Sequence, residues 1–228
     1  QVMANIGKTQ SRGIEVTLNT RNIVTKDFFW ETSLTYTKYK DRWKERTPDW
    51  KPNVYEKETD PIRAIYSRRA DHIMQIGEEA PTAQPDLRPG QIVIKDLDGY
   101  VRDENGNPKV DENGRFMLLG RPDGIIDEAD TELIGTLDPG WMASMTNTFK
   151  YKGFDLNIMF NGMFDRIMQD PTEMDFGVNG GGIAQSGYNM LRTIKDRWTF
   201  DNPSTTRPSS YYITGTNYTA GDFFYQKA

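Results

Sequence analysis

Two pairs of long strands with strict alternation constrain the fold of this chain more than any other feature of its sequence. Apolar residues alternate with polar ones, as in Ile14, Val16 and Leu18 against Glu15 and Thr17. Alternation with a period of two predicts strands that present one apolar and one polar face. We predict four such strands, at residues 12–20, 28–37, 141–151 and 154–164.

The connections between the predicted strands differ sharply in length. A short polar turn joins the two strands of each pair, whereas residues 38–139 and 165–222 form very long, irregular loops. Such loops are uncommon in compact domains, but membrane β-barrels combine short turns on one side of the bilayer with long loops on the other. The sequence therefore predicts an all-β fold, an antiparallel transmembrane β-barrel segment with long extracellular loops.

Aromatic residues gather near the ends of the predicted strands. They make up 12% of the chain, although its mean hydropathy of −0.73 is that of a polar protein. The distribution is typical of the two interfacial girdles of a membrane barrel, and an ordinary β-core filled with aromatics is the alternative. The residues are Phe28, Trp30, Phe149, Tyr151 and Phe154 near the short turns, and Tyr36, Trp141 and Phe164 near the long loops.

Composition excludes several classes of function. With no cysteine and one histidine, His72, the chain can form neither a disulfide framework nor a zinc site of the usual kinds. A formal net charge of −5 argues against a dedicated nucleic-acid binder. No pair of carboxylates stands out as an acid and base for glycoside hydrolysis, so we expect a protein that is not an enzyme. No signal pattern opens the sequence, as expected of a cytosolic protein or an internal piece of a longer chain.

An acidic stretch in the first long loop has the order of a calcium-binding loop interrupted by an insert. Asp96 and Asp98 precede the insert, residues 99–121, and Asp123, Asp127 and Asp130 follow it. Alternating carboxylates, a glycine and a further carboxylate are the pattern of calcium loops. We predict a calcium site, or a loop descended from one, formed by these five aspartates. Solvated Asp-Gly turns are the alternative.

The insert itself contains a short repeat. Asp-Glu-Asn-Gly occurs at residues 103–106 and again at residues 111–114. Asn-Gly is a strong signal for tight hairpin turns, so we predict that residues 99–121 form a β-hairpin excursion.

Aromatic and arginine residues also recur in the first long loop. They could contact a glycan or a lid protein, and they could equally pack the loops against one another, which we favour for most of them. The residues are Trp43, Trp50, Tyr55, Tyr66, Arg68 and Arg69.

Several stretches, in order along the chain, resemble the SusC/RagA family of TonB-dependent outer-membrane transporters. His72 stands where the family usually has glycine, and the insert at residues 99–121 interrupts an acidic loop that is usually contiguous. The matching stretches are residues 5–15, 29–32, 71–79, 89–92, 95–98, 123–130, 134–135, 147–156, 197–199 and 202–203.

This resemblance implies import of oligosaccharides or peptides across the outer membrane of a Gram-negative bacterium, driven by TonB. It also implies a SusD-like surface lipoprotein as partner, and lipid around the barrel wall. Since four strands cannot close a barrel, we expect residues 1–228 to be the C-terminal-half part of one barrel domain, without the plug domain and the segment that contacts TonB.

A soluble calcium-binding β-sandwich, acting as an adhesin or glycan-binding module, is the alternative function. The two predictions differ in what the apolar strand faces meet, which is lipid in the barrel and a second sheet in the sandwich. The residues that decide between them are Ile14, Val16, Leu18, Leu156, Ile158 and Phe160.

Overall fold

The structure is a computed structural model that describes residues 7–112, 114–178, 187–210 and 221–227. Asn5 and Ile6 of the first matching stretch, and the glycine-rich residues 179–182, lie outside these ranges. The strands in chain order are β1 Lys8–Val24, β2 Phe28–Glu45, β3 Ala64–Arg68, β4 Ala70–Ile73, β5 Ile92–Ile94, β6 Thr131–Thr136, β7 Trp141–Tyr151, β8 Phe154–Phe164, β9 Ile167–Gln169 and β10 Tyr225–Lys227. Short helical turns lie at Glu128–Asp130, Glu173–Val178 and Arg192–Asp196. None of the helical segments in the described ranges is long and apolar enough to cross a membrane.

The four long strands form one antiparallel sheet in the order β1-β2-β7-β8. Leu34 of β2 pairs with Leu18 of β1 and with Met145 of β7, and Met145 pairs with Phe160 of β8. Since partners across a sheet point to the same side, the alternation in each strand adds up to one apolar and one polar sheet face.

β1 and β2 are longer than the sequence predicts. β2 continues to Glu45, and the prediction of a loop from residue 38 is wrong for its first eight residues. Residues 38–45, six of which are charged, still pair with β1 through their backbone. Their side chains do not alternate in polarity, so the pattern gave no signal. The turn after β1 is also shorter than predicted, since Ile23 and Val24 pair with Trp30 and Phe29.

The two long loops contain secondary structure that the sequence did not predict. β3 pairs with β6, β4 with β5, and β9 with β10, each pair antiparallel. These strands have three to six residues, which is too short for alternation to be recognised. The prediction of irregular loops over residues 38–139 and 165–222 is corrected accordingly.

The apolar core lies in the loops and not in the sheet. Ile92 and Ile94 of β5 pack with Phe224, while Val93 on the opposite side packs with Met74 and Leu87. β5 is therefore buried on both sides, as its Ile-Val-Ile sequence allows.

The second long loop closes over the first at Gly90. Gly90 has a φ of +90°, and a side chain there would meet the ring of Trp198. Trp198 is buried, and its Nε1 donates a hydrogen bond to the Gln75 side chain over 3.3 Å. Residues 89–92 and 197–199, two stretches that resemble the transporter family, are far apart in the sequence but lie next to each other in the structure.

Residues 99–121 form two turns and not a single hairpin. Hydrogen bonds run from Val101 N to Met117 O, from Met117 N to Lys109 O and from Lys109 N to Val101 O, each 2.8–2.9 Å. The first turn is closed by Gly106 N and Asp103 O at 3.0 Å, and an equivalent bond closes the second. The described residues of both repeats therefore lie in turns, and segments around Val101, Lys109 and Met117 are hydrogen-bonded to one another where one hairpin was predicted.

Candidate functional site

The apolar face of the four-stranded sheet is exposed. Its residues include the six whose environment separates the two predicted functions, and each of them is between 37% and 68% exposed. A water-soluble sandwich would bury these side chains against a second sheet. An exposed apolar surface of this size marks an interface with lipid or with protein. The residues are Ile14, Val16, Leu18, Leu156, Ile158 and Phe160.

Aromatic pairs mark both ends of this face. At the end with short turns, the rings of Trp30 and Phe149 stack with centroids 5.7 Å apart. At the end with long loops, the ring of Trp141 stacks on Phe164 at 3.9 Å and lies 6.0 Å from Tyr36. The 11 residues of β7 between these ends span roughly 33 Å at ~3.3 Å per residue. Tilted by ~40°, they cover roughly 25 Å, the height of the apolar band of a membrane barrel.

A polar network links side chains on the apolar face through hydrogen bonds between neighbouring strands. Asn147 Oδ1 accepts from Trp30 Nε1 at 3.0 Å and from the Thr32 hydroxyl at 2.7 Å. The Thr32 hydroxyl in turn accepts from Asn22 Nδ2 at 2.7 Å. Because lipid offers no hydrogen bonds, polar groups at this depth must pair with one another. The sequence analysis missed this network, although two polar residues in apolar positions of neighbouring strands are a readable signal.

The opposite face of the sheet is polar and carries a shallow cleft. Polar and apolar residues both line this cleft of about 300 Å³, namely Thr35, Thr37, Met142, Ala143, Ser144, Asn161, Gly162 and Met163. In a barrel this face would line the lumen.

The structure brings the two halves of the acidic stretch together across the insert. Asp96 Oδ2 accepts a hydrogen bond from Gly124 N at 2.7 Å. Asp98 Oδ1 accepts from Gly120 N at 2.7 Å and from Gly99 N at 2.8 Å. The two ends of the insert therefore lie close together, as predicted for an insertion into an otherwise continuous acidic loop.

Asp130 is the centre of this loop. It is fully buried, and its carboxylate accepts from Leu97 N at 2.7 Å and from Asp127 N at 2.8 Å. Burial raises the pKa of Asp130, while these backbone amides act in the opposite direction. Asp127 accepts from Ala129 N at 2.8 Å and completes a capping box around the turn Glu128–Asp130.

The carboxylates of the acidic loop are held by backbone amides. Across the described residues, no group of three or more His, Asp or Glu side chains is placed to hold a metal ion. Asp123, the remaining member of the predicted set, accepts from Ile125 N at 3.0 Å. Backbone amides thus pair with these carboxylates, and calcium binding by Asp96, Asp98, Asp123, Asp127 and Asp130 stays a prediction.

Most of the aromatic and arginine residues of the first long loop contact other loop segments. The ring centroids of Tyr55 and Tyr66 are 5.1 Å apart, and Tyr66 donates to Asp60 over 2.6 Å. Arg68 Nε donates to the backbone carbonyl of Asp127, and Arg69 pairs with Glu132 and Asp222. These contacts agree with the interpretation that they order the loops. Trp43 and Trp50 differ, because both contact Arg46, which the sequence analysis did not select.

The curated proteins that resemble this chain are TonB-dependent receptors. TonB-dependent receptors P3 and P26 of Formosa agariphila are 24% and 25% identical to it over 90% and 94% of its length. TonB-dependent receptor SusC of Bacteroides thetaiotaomicron is 24% identical over 82%. The chain spans about a fifth of the length of each of these relatives. No protein-family model matches the chain.

The solved structures that share its fold include two of one transporter. They are described as the RagAB peptide transporter and as the RagAB peptide importer in a closed-closed state, and each aligns with a TM-score of 0.59 at 17% identity. The alignments cover 92% and 98% of this chain, and 21% and 22% of the transporter chains. The resemblance to SusC-type TonB-dependent receptors is confirmed as a weak but consistent homology. The all-β fold of a transporter barrel is confirmed as well, with no closed barrel among the described residues.

Proposed function

We propose that this chain is part of a TonB-dependent outer-membrane transporter that imports oligosaccharides or peptides together with a SusD-like lipoprotein. The observation that carries the proposal is the exposed apolar face of the sheet, bounded at both ends by stacked aromatic rings. The homology to TonB-dependent receptors supports it.

The energetics of this face favour lipid over water. Full burial of a large apolar side chain is worth about 1.5–3 kcal/mol, and the partly exposed side chains of this face each forgo a share of it in water. Lipid removes that penalty, and the side chains of Trp30 and Thr32 both donate to Asn147, as polar groups that face lipid are expected to pair with one another. For this reason the soluble β-sandwich alternative has no structural observation in its favour.

The polar face and the loops indicate how the sheet would be oriented in the membrane. The face carrying Thr35, Thr37 and Asn161 would line the lumen, and the loops that hold the buried core would stand outside the membrane. Loops with their own core can present a fixed surface to substrate and to a lipoprotein lid. In this proposal TonB acts through a part of the transporter other than residues 1–228.

Transport and not catalysis is the activity proposed, because the named relatives are receptors and transporters. SusC among the relatives supports the lipoprotein partner. The RagAB transporter carries peptides, and SusC-type homology leaves an oligosaccharide equally open here.

Fractionation of the source cells tests the proposal. The full-length protein should partition with the outer membrane, require detergent, and migrate differently on a gel before and after boiling. A surface lipoprotein should co-purify with it. A water-soluble, monodisperse full-length protein would contradict the proposal.

Uptake assays then separate the two substrate classes. A strain lacking the gene should lose growth on either an oligosaccharide mixture or a peptide mixture as sole carbon source, and regain it with the wild-type gene. Growth unchanged on both mixtures would contradict a role in nutrient import.

A further inference from the structure

A cleft at the loop end of β2 combines cationic and aromatic side chains. Its volume is about 710 Å³, which lies in the range of small-molecule binding sites. The residues that give it its chemistry are Arg42, Trp43, Lys44, Arg46, Trp50 and Glu58.

Arg46 is held in this cleft by two aromatic rings. Its guanidinium carbon lies 4.8 Å from the ring centroid of Trp43 and 4.5 Å from that of Trp50. Such contacts fix the position of an arginine and favour its charged form.

The Arg46 guanidinium has no acidic partner in the described part of the chain. None of the salt bridges there includes it, and its Nε is buried without a hydrogen-bond partner. A buried donor without an acceptor is costly unless another group supplies one. An oxyanion is the group that matches an arginine best, because it accepts two parallel hydrogen bonds from the guanidinium.

The charges around Arg46 favour an anion. Arg42 and Lys44 add two positive charges to the cleft, and of the two lining glutamates, Glu45 already pairs with Lys8 at 2.8 Å. Glu58 is then the one lining acid left to oppose these cations among the described residues. The cleft is therefore locally cationic on a chain whose formal net charge is −5.

The cleft also lies where a transported molecule would pass. By alternation along β2, Trp43 falls on the same face as Thr35 and Thr37, which is the polar face, whereas Arg42 leaves the strand on its other side and lines the edge of the cleft from there. Trp43 lies at the end of β2 remote from the short turns. In the barrel proposed above, this position is the outer mouth of the lumen.

We propose that this cleft binds a carboxylate or sulfate oxyanion on the transported molecule, with Arg46 as the bidentate donor and Arg42 and Lys44 supplying further positive charge. The inference deepens the proposed function by naming an acidic substrate, and it rests on that function only for the direction of transport. A sugar acid, a sulfated sugar and an acidic peptide share this chemistry, and the test distinguishes them.

A purely structural role for Arg46 predicts a different behaviour. If the arginine only anchors the segment around Trp50 to β2, its replacement would loosen that segment without discriminating between charged and neutral ligands. A comparison of anionic ligands with neutral counterparts of equal size separates the two roles.

The experiment uses the full-length protein purified in detergent and calorimetric titration. The probes are trigalacturonate, a sulfated disaccharide and triglutamate, with galactotriose, the desulfated disaccharide and triglutamine as neutral counterparts. At least one anionic probe should bind tenfold or more tightly than its neutral counterpart. Its affinity should fall as sodium chloride is raised, because cationic sites are screened by salt.

Substitutions test whether the anionic probe binds at Arg46. Arg46→Met keeps the aliphatic stem between the rings and should weaken binding of that anionic probe at least tenfold. Arg46→Lys keeps the charge without the planar fork and should weaken it less. Arg115→Met, which removes an exposed cation of the insert, is the matched control and should leave affinity unchanged. The gel shift on boiling checks that every variant keeps its barrel. If Arg46→Met does not fold, the pair Arg42→Gln and Lys44→Gln should still weaken the anionic probe severalfold.

Three results would overturn the inference: no anionic probe binds, neutral and anionic probes bind equally, or anionic affinity is unchanged in the folded Arg46→Met protein. None of these affects the outer-membrane assignment, which fractionation tests separately. Conversely, a water-soluble protein that binds the anionic probe through Arg46 would leave this inference standing while the transporter proposal fails.

Discussion

Two isoleucines show how differently the sheet and the loops are built. Ile14 in β1 is 68% exposed, whereas Ile73 at the end of β4 is 2% exposed. In a water-soluble protein the long regular strands bury their apolar residues and the loops remain polar. Here the arrangement is reversed, which is expected if lipid covers the sheet and water surrounds the loops.

The two regions are also held together by different interactions. The sheet depends on backbone ladders that run almost unbroken over β1, β2, β7 and β8. The loops depend on a small core and on carboxylates that accept backbone amides, such as Asp96 and Asp130. Changes to apolar side chains should therefore destabilise the loops by loss of packing and the sheet only by loss of lipid contact.

The largest effect is expected at Ile73. Ile73→Ala should destabilise the loop assembly by about 2–5 kcal/mol, because it opens a cavity in a closely packed site. Ile14→Ala is the matched change in the sheet and should have a much smaller effect on unfolding of the full-length protein in lipid vesicles. Limited proteolysis should show faster cleavage in residues 64–139 for Ile73→Ala alone. Equal proteolysis of the two variants would contradict the contrast between the regions.

A charge placed on the sheet tests which solvent covers it. Leu18→Arg puts a cation near the middle of the apolar face and should cost about 2–4 kcal/mol in a membrane barrel. Asn19→Arg, one residue along on the polar face, should cost close to nothing. The folded fraction in vesicles, measured by the gel shift on boiling, compares the two variants. If both fold equally well, lipid does not cover the face that carries Leu18.

The sequence predicted the sheet well because alternation is a repeated signal. β7 and β8 coincide with their predicted ranges, since most of their residues follow the alternation and exceptions such as Asn147 do not hide it. Residues 38–45 were missed because charged side chains hide a strand that is defined by its backbone pairs. β4 and β5 were missed because three or four residues carry too little pattern.

One of the two candidate sites was predicted from the sequence, and the other was not. The spacing of the aspartates predicted that Asp96 and Asp98 lie near Asp123 and Asp130. The pattern of a calcium loop is still recognisable when the insert is left out. The contact of Arg46 with Trp43 and Trp50 could not be predicted, because it depends on how an irregular segment folds back onto the end of β2.

Calcium is expected to have a smaller effect, confined to the stability of the acidic loop. If the predicted site binds calcium, the ion at 100 times its Kd should stabilise the loop by about 2.7 kcal/mol. Protease cleavage between residues 96 and 130 of the full-length protein should then slow with calcium and recover with a chelator. Asp98→Asn should abolish the response, while Asp103→Asn in the first turn of the insert should keep it. Cleavage that is indifferent to calcium in the wild-type protein would contradict the prediction.

The smallest effect is expected at His72, a histidine of the loops that lies between two carboxylates. His72 Nδ1 lies 2.9 Å from Asp71 and Nε2 lies 3.1 Å from Glu78, while Lys95 holds the far side of Asp71 at 3.2 Å. The hydrogen bond with Asp71 is the main cause that raises the pKa of His72, with Glu78 adding to it and partial burial opposing it. The pKa of Asp71 is lowered chiefly by His72, and that of Glu78 chiefly by the Gln75 amide.

These shifts fix the sign of the pH dependence. A raised histidine pKa stabilises the folded loop fully below the unfolded value of about 6.5, and the contribution is lost as pH rises through the folded value. The lowered carboxylate pKa values act oppositely, so their contribution is lost only as pH falls well below about 4. Amide protection factors around residues 72–78 should therefore be highest near pH 5–6 and fall a few-fold by pH 8, whereas those of β7 stay constant. In His72→Gln the profile between pH 6 and 8 should be flat, and a wild-type decline that persists in this variant would assign the pH dependence to another group. Because the pairs are exposed, added salt should reduce the decline, which distinguishes this charge-dependent contact from the packing that holds Ile73.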